Sequence, residues 1–298
     1  MTALDRYLGC LIGLAIGDAV GTTLEFKSRG IFVPINDMVG GGPFKLKPGQ
    51  WTDDTSMALC LANSLIEKGF DAHDQMVKYI KWWKEGYMSV TGYCFDIGST
   101  TSDALEDYYF NNKSPYCGST DKYAAGNGGL MRIAPVVMYY KNYEDAINYG
   151  ILSTRVTHGS PACIECSEIF IKFLHSILNT GSQNIDGLNS SVTIERFKNV
   201  DFITKNISEI KGSGYVVESL EAALWCFYNT NNFKDAILTA ANLGDDADTT
   251  AAIVGQIAGA YYGYEAIPLE WRQKVYWHDK IVNIAKQLLL KGNETPVY

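Results

Sequence analysis

The fold follows from the stretch LDRYLGCLIGLAIGDAVG, residues 4–21. Its apolar residues recur at the spacing of an α-helix, and glycines interrupt them every four residues. A second apolar segment, AAIVGQIAGAYYG at residues 251–263, has the same feature. The glycines concerned are Gly9, Gly13 and Gly17 in the first segment, and Gly255 and Gly259 in the second. Because glycine costs about 1 kcal/mol relative to alanine inside a helix, this pattern indicates helices that approach one another closely at the centre of a bundle.

Helical spacing of apolar residues continues along the chain. It is seen at Met57, Leu61 and Leu65, and again within residues 76–83. The alternation of apolar and polar residues that marks a β-strand is hard to find, and no segment repeats at a fixed period, which argues against a solenoid. The sequence predicts an all-α protein with ten or more helices.

Composition narrows the class of protein further. Of the 298 residues, 47% are hydrophobic and 19% are charged, so the chain can bury a substantial core and does not resemble a disordered protein. The formal net charge of −8 argues against a broad nucleic-acid-binding surface, which needs clustered lysines and arginines. A nucleic-acid partner is therefore not expected, although a local funnel of basic residues is compatible with this net charge.

We expect neither a membrane segment nor a secretory signal. The apolar run of residues 7–17 is too short to span a bilayer, ends at Asp18 and lacks the basic region that opens a signal peptide. The seven cysteines are odd in number and scattered, which fits a reduced, cytoplasmic protein. Cys163 and Cys166 form a CxxC pair, but the apolar spacing around them favours a packed helix over a metal site.

Two short segments place several carboxylates just before an apolar helical run. The first is QWTDDTSM, residues 50–57, and the second is GDDADTTAAI, residues 244–253. In the first, Thr52 or Asp53 could be the N-cap while the acids complement the helix dipole. In the second, three carboxylates within four residues repel one another more than capping offsets. Independent caps and a shared cation site both remain consistent with this pattern.

A shared site requires the two helix starts to face each other. Its ligands would all be oxygen atoms, from Thr52, Asp53, Asp54, Asp246, Asp248 and Thr249. Such ligands suit two Mg²⁺ or Mn²⁺ ions, with water completing octahedral coordination. Zinc is disfavoured, because neither segment has a neighbouring cysteine or histidine.

Two other segments are unusual. Gly126-Asn127-Gly128-Gly129 predicts a loop whose backbone N–H groups could approach a phosphate at the start of a helix, although it lacks the ending of a Walker loop. Asp18 follows the first glycine-rich helix, and taken in isolation it is interpreted as a polar cap.

Five segments occur in the order found in one known family: GDAVGTTLEF, QWTDDTSMAL, CFDIGSTTSDAL, GNGGLMRIAP and NLGDDADTTAAIVGQIAGAYYG. Taken together, over residues 6–264, they resemble the ADP-ribosylglycohydrolase family and its bacterial branch in particular. The resemblance implies a compact, single-domain, orthogonal bundle of helices over residues 1–298, with a central cleft that holds two metal ions. It also implies a metal-dependent enzyme that hydrolyses the bond between ADP-ribose and a modified group.

The resemblance also assigns roles to residues. It implies that the six residues of the shared site bind metal, and that Asp53, Asp54, Asp246 and Asp248 are indispensable for catalysis, with Glu25 as a mobile gate or a proton carrier. The residues that it implies in substrate binding are Gly126, Asn127, Gly128 and Gly129 at the diphosphate, Asp96 at the ribose and Tyr215 at the adenosine. His158 either contacts the substrate or is an ordinary histidine at a helix start. Asp245 stands where the family usually has glycine, so its role is open.

The expected reaction is the removal of ADP-ribose from an ADP-ribosylated protein, with ADP-ribose as the product ligand. Arginine is the expected linkage, because the overall pattern leans to the bacterial branch. Three alternatives stay open. They are another ADP-ribose linkage (serine, a nucleic-acid base or a small-molecule conjugate), a relative that binds ADP-ribose without turnover, and a metal-dependent phosphohydrolase.

Overall fold

The computed structural model describes residues 1–111, 114–185 and 193–294. Over these residues the chain forms twelve α-helices and no β-sheet, as the sequence predicts. The helices are α1 (Ala3–Gly21), α2 (Asp53–Lys68), α3 (Ala72–Glu85), α4 (Ser99–Asn111), α5 (Ala134–Tyr139), α6 (Tyr143–Arg155), α7 (Pro161–Thr180), α8 (Val216–Tyr228), α9 (Phe233–Ala241), α10 (Ala247–Tyr262), α11 (Leu269–Lys274) and α12 (His278–Glu294).

The two glycine-rich helices, α1 and α10, cross in an antiparallel pair at the centre of the bundle. A Cβ atom on any of four α1 glycines would lie between 2.1 and 2.3 Å from a carbonyl oxygen of α10. These contacts are Gly9 with Gly259, Gly13 with Gly255, Gly17 with Ala251, and Gly21 with Ala247. The prediction of close helix approach is therefore confirmed. It places the C-terminal end of α1 directly beside the start of α10.

The remaining helices surround this pair. α1 also packs against α2, α9 and α12, and α10 also packs against α7, α8 and α9. The predicted helical window at Met57, Leu61 and Leu65 lies in α2, and all three side chains are buried. Because α2 begins next to the end of α1, three helix ends meet in one region: the end of α1 and the starts of α2 and α10.

The N-terminal helix is longer than the predicted apolar run. Together with the 3₁₀ turn that follows it, α1 gives a helical segment over Ala3–Leu24 with a mean hydropathy of 1.5, which is long and apolar enough to cross a membrane. The expectation that this segment is too short is therefore wrong. Inside the protein, 94% of its most apolar window is buried. A helix that is apolar on every side is what the centre of a large bundle requires.

The seven cysteines are all free. Cys163 and Cys166 lie in α7 and are both buried, so the interpretation of the CxxC pair as part of a packed helix is confirmed.

Candidate metal centre and active site

The two acidic segments meet at the junction of α1, α2 and α10. The Thr52 side-chain oxygen lies 3.3 Å from Oδ2 of Asp248, although the two residues are 196 positions apart in the sequence. The Thr249 side-chain oxygen lies 3.4 Å from Oδ2 of Asp54. The starts of α2 and α10 therefore face each other, as a shared cation site requires.

Ordinary helix capping does not account for these residues. Thr52 is the N-cap of α2 and Asp246 is the N-cap of α10, but neither side chain accepts a capping hydrogen bond from its own helix. The alternative of two independent caps is therefore wrong. Their side chains are hydrogen-bonded to other elements instead: Thr52 to Asp18 of α1, and Asp246 to Asn127 of the glycine loop.

Burial and mutual repulsion raise the pKa values of these carboxyl groups. Removal from water is the largest cause for Asp53, Asp54 and Asp248, and neighbouring carboxylates add to it. The pKa of Asp248 rises to about 8. The pKa of Asp96 rises to about 10, first through burial and then through the charge of Asp248. The pKa of Glu25 is also raised, first through burial and then through Asp248.

Two groups of three carboxylates could hold a metal ion, since their oxygen atoms lie within 4.8 Å of one another. One group is Asp18, Asp54 and Asp248, and the other is Glu25, Asp96 and Asp248. Asp248 belongs to both groups. Of the other predicted acids, Asp53 and Asp246 lie outside these groups but line the same cavity.

This cavity has a volume of about 330 Å³. Its acidic side is formed by Glu25, Asp53, Asp96, Asp246, Asp248 and Thr249. Gly126, Asn127, Gly128 and His158 also line it. Thr52 and Asp54 are fully buried behind the acidic side. The fourth residue of the glycine loop, Gly129, packs against the Thr154 side chain instead.

The glycine loop is tied to the acidic side of the cavity. The Asn127 side-chain amide donates to Oδ2 of Asp246 at 2.8 Å and to the Ser219 hydroxyl at 2.7 Å. The loop leads into a short 3₁₀ turn, Leu130–Arg132, and not directly into an α-helix. Asn127 therefore fixes the distance between the loop and the acidic cluster.

His158 lies beneath this loop and is almost fully buried. A Cβ atom on Gly128 would lie 2.6 Å from the imidazole, so a glycine is required above the ring. The Thr157 hydroxyl accepts a hydrogen bond from Arg132 and lies 2.8 Å from Nδ1 of His158. The hydroxyl has one hydrogen and two lone pairs, so a neutral imidazole pairs with it in either tautomer: Nδ1 accepts from the hydroxyl when the ring proton is on Nε2, and donates to it when the proton is on Nδ1. Burial, followed by the charge of Arg132, lowers the pKa of His158 to about 3, so the ring is neutral.

A family model described as "ADP-ribosylglycohydrolase" matches residues 1–296. The chain belongs to the ADP-ribosylglycohydrolase family. It is 44% identical over 293 residues to "ADP-ribosylarginine hydrolase Tri1" of Pseudomonas putida, covering 96% of this chain and 78% of that protein. It is 31% identical over 281 residues to "ADP-ribosyl-[dinitrogen reductase] glycohydrolase" of Rhodospirillum rubrum, covering 91% of this chain and 90% of that protein. A solved structure titled "ADP-ribosylglycohydrolase-related protein complex" superposes with a TM-score of 0.83 at 37% identity, covering 97% of this chain and 99% of that one.

The backbone explains why this member of the ADP-ribosylglycohydrolase family tolerates Asp245. Its φ angle is +56°, in the left-handed region that favours glycine and that aspartate adopts more readily than bulky residues do. Asp245 is exposed, and its backbone exchanges hydrogen bonds with Phe26 and Lys27. It lies outside both carboxylate groups described above. Its role in this structure is to join the loop after α1 to the loop before α10.

Tyr215 lies beside the cavity and not in it. It is the N-cap of α8, and a β-bridge connects it to Gly126. The ring is 46% exposed and borders a second cavity of about 510 Å³ with Lys122 and Tyr123. The glycine loop therefore separates the acidic cavity from a partly exposed tyrosine pocket.

Asp18 is the residue of this site that sequence reasoning missed. It lies inside α1, is fully buried and does not act as a cap. Its Oδ1 accepts from the Thr52 backbone N–H at 2.8 Å and from the Thr52 hydroxyl at 2.9 Å. Its Oδ2 accepts from the Thr55 backbone N–H at 3.0 Å and from the Thr55 hydroxyl at 2.6 Å. Each carboxylate oxygen thus accepts two hydrogen bonds from the start of α2, so Asp18 fixes the position of that helix start beside the other carboxylates.

The hydrogen bond from Thr52 to Asp18 determines how the Thr52 hydroxyl is oriented. The hydroxyl has one hydrogen, and Asp18 is its nearest acceptor. Oδ2 of Asp54 and Oδ2 of Asp248 are farther away, at 3.2 and 3.3 Å. Because its hydrogen is directed at Asp18, the Thr52 hydroxyl turns its lone pairs towards the carboxylates of Asp54 and Asp248. These oxygen atoms are all acceptors, and a cation placed between them would stabilise the arrangement.

Proposed function

We propose that this chain hydrolyses the N-glycosidic bond between ADP-ribose and an arginine side chain of a modified protein, releasing ADP-ribose and restoring the arginine. The observation that carries the proposal is the meeting of carboxylates from α2 and α10 at one side of a single cavity. Relatives with 44% identity that are named ADP-ribosylarginine hydrolases support the arginine linkage. We also infer that residues 1–298 act as one domain, since α1 packs against both α10 and α12.

Two divalent cations, Mg²⁺ or Mn²⁺, fit the residues present. Three buried carboxylate oxygens, Oδ1 of Asp54, Oε2 of Glu25 and Oδ2 of Asp96, have no hydrogen-bond donor among the described residues. Buried acceptors of this kind need either protons or cations. The proposed ligands are Thr52, Asp53, Asp54, Asp246, Asp248 and Thr249, all of which offer the hard oxygen atoms that these ions prefer. When bound, the cations supply Lewis-acid chemistry: they stabilise negative charge and lower the pKa of water.

Protein groups orient the substrate in this proposal. The diphosphate lies against the glycine loop, which packs directly on the buried imidazole of His158. The ribose hydroxyls lie towards Asp96, and the adenine lies beyond the loop, at Tyr215. This orientation directs the anomeric carbon at the acidic side of the cavity. The modified arginine then leaves through the opening near Glu25 and Phe26.

Glu25 is the proposed proton carrier. In the reaction, an O–C bond forms between water and the anomeric carbon while the bond from that carbon to the guanidine nitrogen breaks. The water loses a proton and the leaving nitrogen gains one. Oε2 of Glu25 is buried and has no donor among the described residues, so it can accept the first proton and return it to the leaving nitrogen.

The test is the identity of the released product for a panel of substrates linked through arginine, serine and a nucleic-acid base. We expect intact ADP-ribose from the arginine substrate, detected by mass spectrometry, and no reaction after exhaustive chelation. Asp248→Asn should abolish turnover while the circular dichroism spectrum is unchanged. Release of AMP would indicate a phosphohydrolase, and calorimetric binding of ADP-ribose without any product would indicate a non-catalytic relative. Activity that survives chelation would contradict the proposed metal centre.

A further inference from the structure

Four aromatic rings form a continuous strip that begins at the mouth of the acidic cavity. We call this strip, Phe26, Phe44, Tyr93 and Phe95, the aromatic rim. Ring centroids lie 6.4 Å apart between Phe26 and Phe44, 5.1 Å between Phe44 and Phe95, and 6.0 Å between Phe95 and Tyr93. Phe26 lines the cavity itself. Phe26 and Tyr93, at the two ends of the strip, are 69% and 62% exposed. The fold therefore leaves apolar surface in water next to the candidate site.

The backbone holds Phe26 in this exposed position. Its φ angle is +59°, a conformation that is unfavourable for a bulky residue. Two backbone hydrogen bonds maintain it: Phe26 N–H donates to the Asp245 carbonyl at 2.7 Å, and Asp245 N–H donates to the Lys27 carbonyl at 2.8 Å. The surrounding structure thus maintains a strained backbone conformation at the edge of the acidic cavity. Such strain indicates that the Phe26 side chain has a function there.

The segment that contributes Phe26 and Phe44 is also basic. Residues 26–50 contain four basic residues and one acidic residue, in a chain whose net charge is −8. Three of the basic residues, Lys27, Lys45 and Lys47, are exposed. Two of these lysines directly follow rim phenylalanines in the sequence. A surface that combines aromatic rings with positive charge is complementary to a partner with apolar and acidic groups.

We propose that the aromatic rim is the docking surface for the polypeptide segment around the modified arginine, and that it favours segments containing acidic and apolar residues. This inference rests on the proposed function. In that function the bond that breaks lies at the acidic side of the cavity, and Phe26 lines the same cavity as Glu25. Because Phe26 lines this cavity and is 69% exposed, it gives the chain that carries the arginine a surface to contact where that chain leaves the cavity. Exposed aromatic side chains are the residues on which binding energy in protein interfaces concentrates.

The test compares three probes under steady-state conditions with Mg²⁺ present. They are free ADP-ribosylarginine, a 15-residue peptide with one ADP-ribosylated arginine flanked by Asp, Glu, Leu and Phe, and a peptide of equal length flanked by Lys and Ser. We expect the lowest KM for the acidic peptide. Tyr93→Ser should raise this KM roughly five- to tenfold. The double variant Lys45→Glu, Lys47→Glu should raise it as well, and more at low salt than at high salt. Neither variant should change kcat, or the KM for free ADP-ribosylarginine.

The matched control is Tyr109→Ser. Tyr109 is another exposed aromatic residue, and its ring contacts are with Trp83 and Phe110 and not with the rim. Its substitution should leave the KM for all three probes unchanged. Equal KM values for the two peptides, or an equal effect of Tyr93→Ser and Tyr109→Ser, would overturn the proposal. The proposal would also be overturned if the lysine variants raised the KM for free ADP-ribosylarginine as much as the KM for the acidic peptide. The lysines would then attract the diphosphate and not the polypeptide.

A failure of the proposed function is distinguishable from a failure of this inference. If the wild-type protein hydrolyses none of the probes, the proposed function fails. Fluorescence anisotropy of the labelled, unmodified acidic peptide then tests the rim without turnover. Tighter binding of this peptide than of the basic one, weakened by Tyr93→Ser, supports the rim as a docking surface, and equal binding overturns it.

Discussion

Two threonines at the start of α2 allow a sharp test of how the proposed metal centre is built. Thr52 and Thr55 both donate a side-chain hydrogen bond to the buried carboxylate of Asp18, at 2.9 and 2.6 Å. Only Thr52 also lies near Asp54 and Asp248, at 3.2 and 3.3 Å. Replacement of either threonine by valine keeps the shape of the side chain and removes the hydroxyl. The two variants should therefore lose similar stability but differ in metal binding.

The expected magnitudes follow from these contacts. A hydrogen bond to a charged, buried carboxylate contributes about 1.5–3 kcal/mol, so each variant should lower the free energy of unfolding by about that amount. For a chain of 298 residues this corresponds to a decrease in Tm of about 2–5 °C. Thr52→Val should also weaken Mn²⁺ binding about 10- to 100-fold, the range found when an oriented group at a metal site is lost. Thr55→Val should change the Kd for Mn²⁺ less than threefold.

The assay is a calorimetric titration of the metal-free protein with Mn²⁺, together with thermal unfolding of the same samples in EDTA. The unfolding measurement checks that both variants are folded and equally destabilised. Thr52→Ser, which keeps the hydroxyl, should bind Mn²⁺ nearly as tightly as the wild type. The reasoning is refuted if Thr52→Val binds Mn²⁺ normally, or if Thr55→Val loses as much affinity as Thr52→Val.

Three further predictions concern other parts of the site. If the Glu25 carboxylate carries a proton, Glu25→Gln should lower kcat about 10²- to 10⁴-fold in steady-state kinetics, with little change in KM. A change confined to KM would instead indicate that Glu25 acts as a gate. Gly21→Ala and Gly9→Ala should each lower the free energy of unfolding by at least about 1–3 kcal/mol, because the new Cβ atoms would lie 2.3 and 2.1 Å from carbonyl oxygens of α10. Only Gly21→Ala should also lower kcat, because it displaces the start of α10. The pKa of His158 falls from 6.5 in the unfolded chain to about 3 in the folded protein. Between these two pH values the unfolded state binds more protons than the folded state does. The free energy of unfolding should therefore decrease as the pH falls below 6.5, by at most about 1.4 kcal/mol per pH unit. In denaturant titrations between pH 5 and 7 with Mg²⁺ present, His158→Asn should reduce this slope, and an unchanged slope would contradict a buried neutral imidazole.

Much of the fold could be predicted because it depends on local patterns. The four-residue spacing of Gly9, Gly13 and Gly17 already indicates a second helix at close range, and α10 supplies it. The three acidic residues at positions 245–248 indicate that a positive charge must lie nearby, and this inference does not depend on which helix faces them. These predictions need only the chemistry of neighbouring residues, which the sequence contains.

The roles that could not be predicted depend on contacts between distant segments. Asp18 looks like a polar cap in sequence, because its hydrogen-bond partners lie 34 and 37 positions away. Asp96 groups with Glu25 and Asp248, which are 71 and 152 positions away in the sequence, and its own φ of +61° is not indicated by any local pattern. The aromatic rim combines Phe26 and Phe44, from the connection between α1 and α2, with Tyr93 and Phe95, from the connection between α3 and α4. No periodicity or local spacing connects such positions.

The packing of the glycine helices and the charge of the site depend on each other. The close crossing of α1 and α10 brings seven carboxyl groups together: Asp18, Glu25, Asp53, Asp54, Asp96, Asp246 and Asp248. The N-termini of α2 and α10 both face this region, and each helix start is equivalent to roughly half a positive charge. The two dipoles together therefore offset about one of up to seven negative charges. Two divalent cations would offset four more, which brings the cluster close to the balance that buried charges require. The glycines that allow α1 and α10 to cross so closely therefore also bring Asp18 of α1 close to Asp248 of α10.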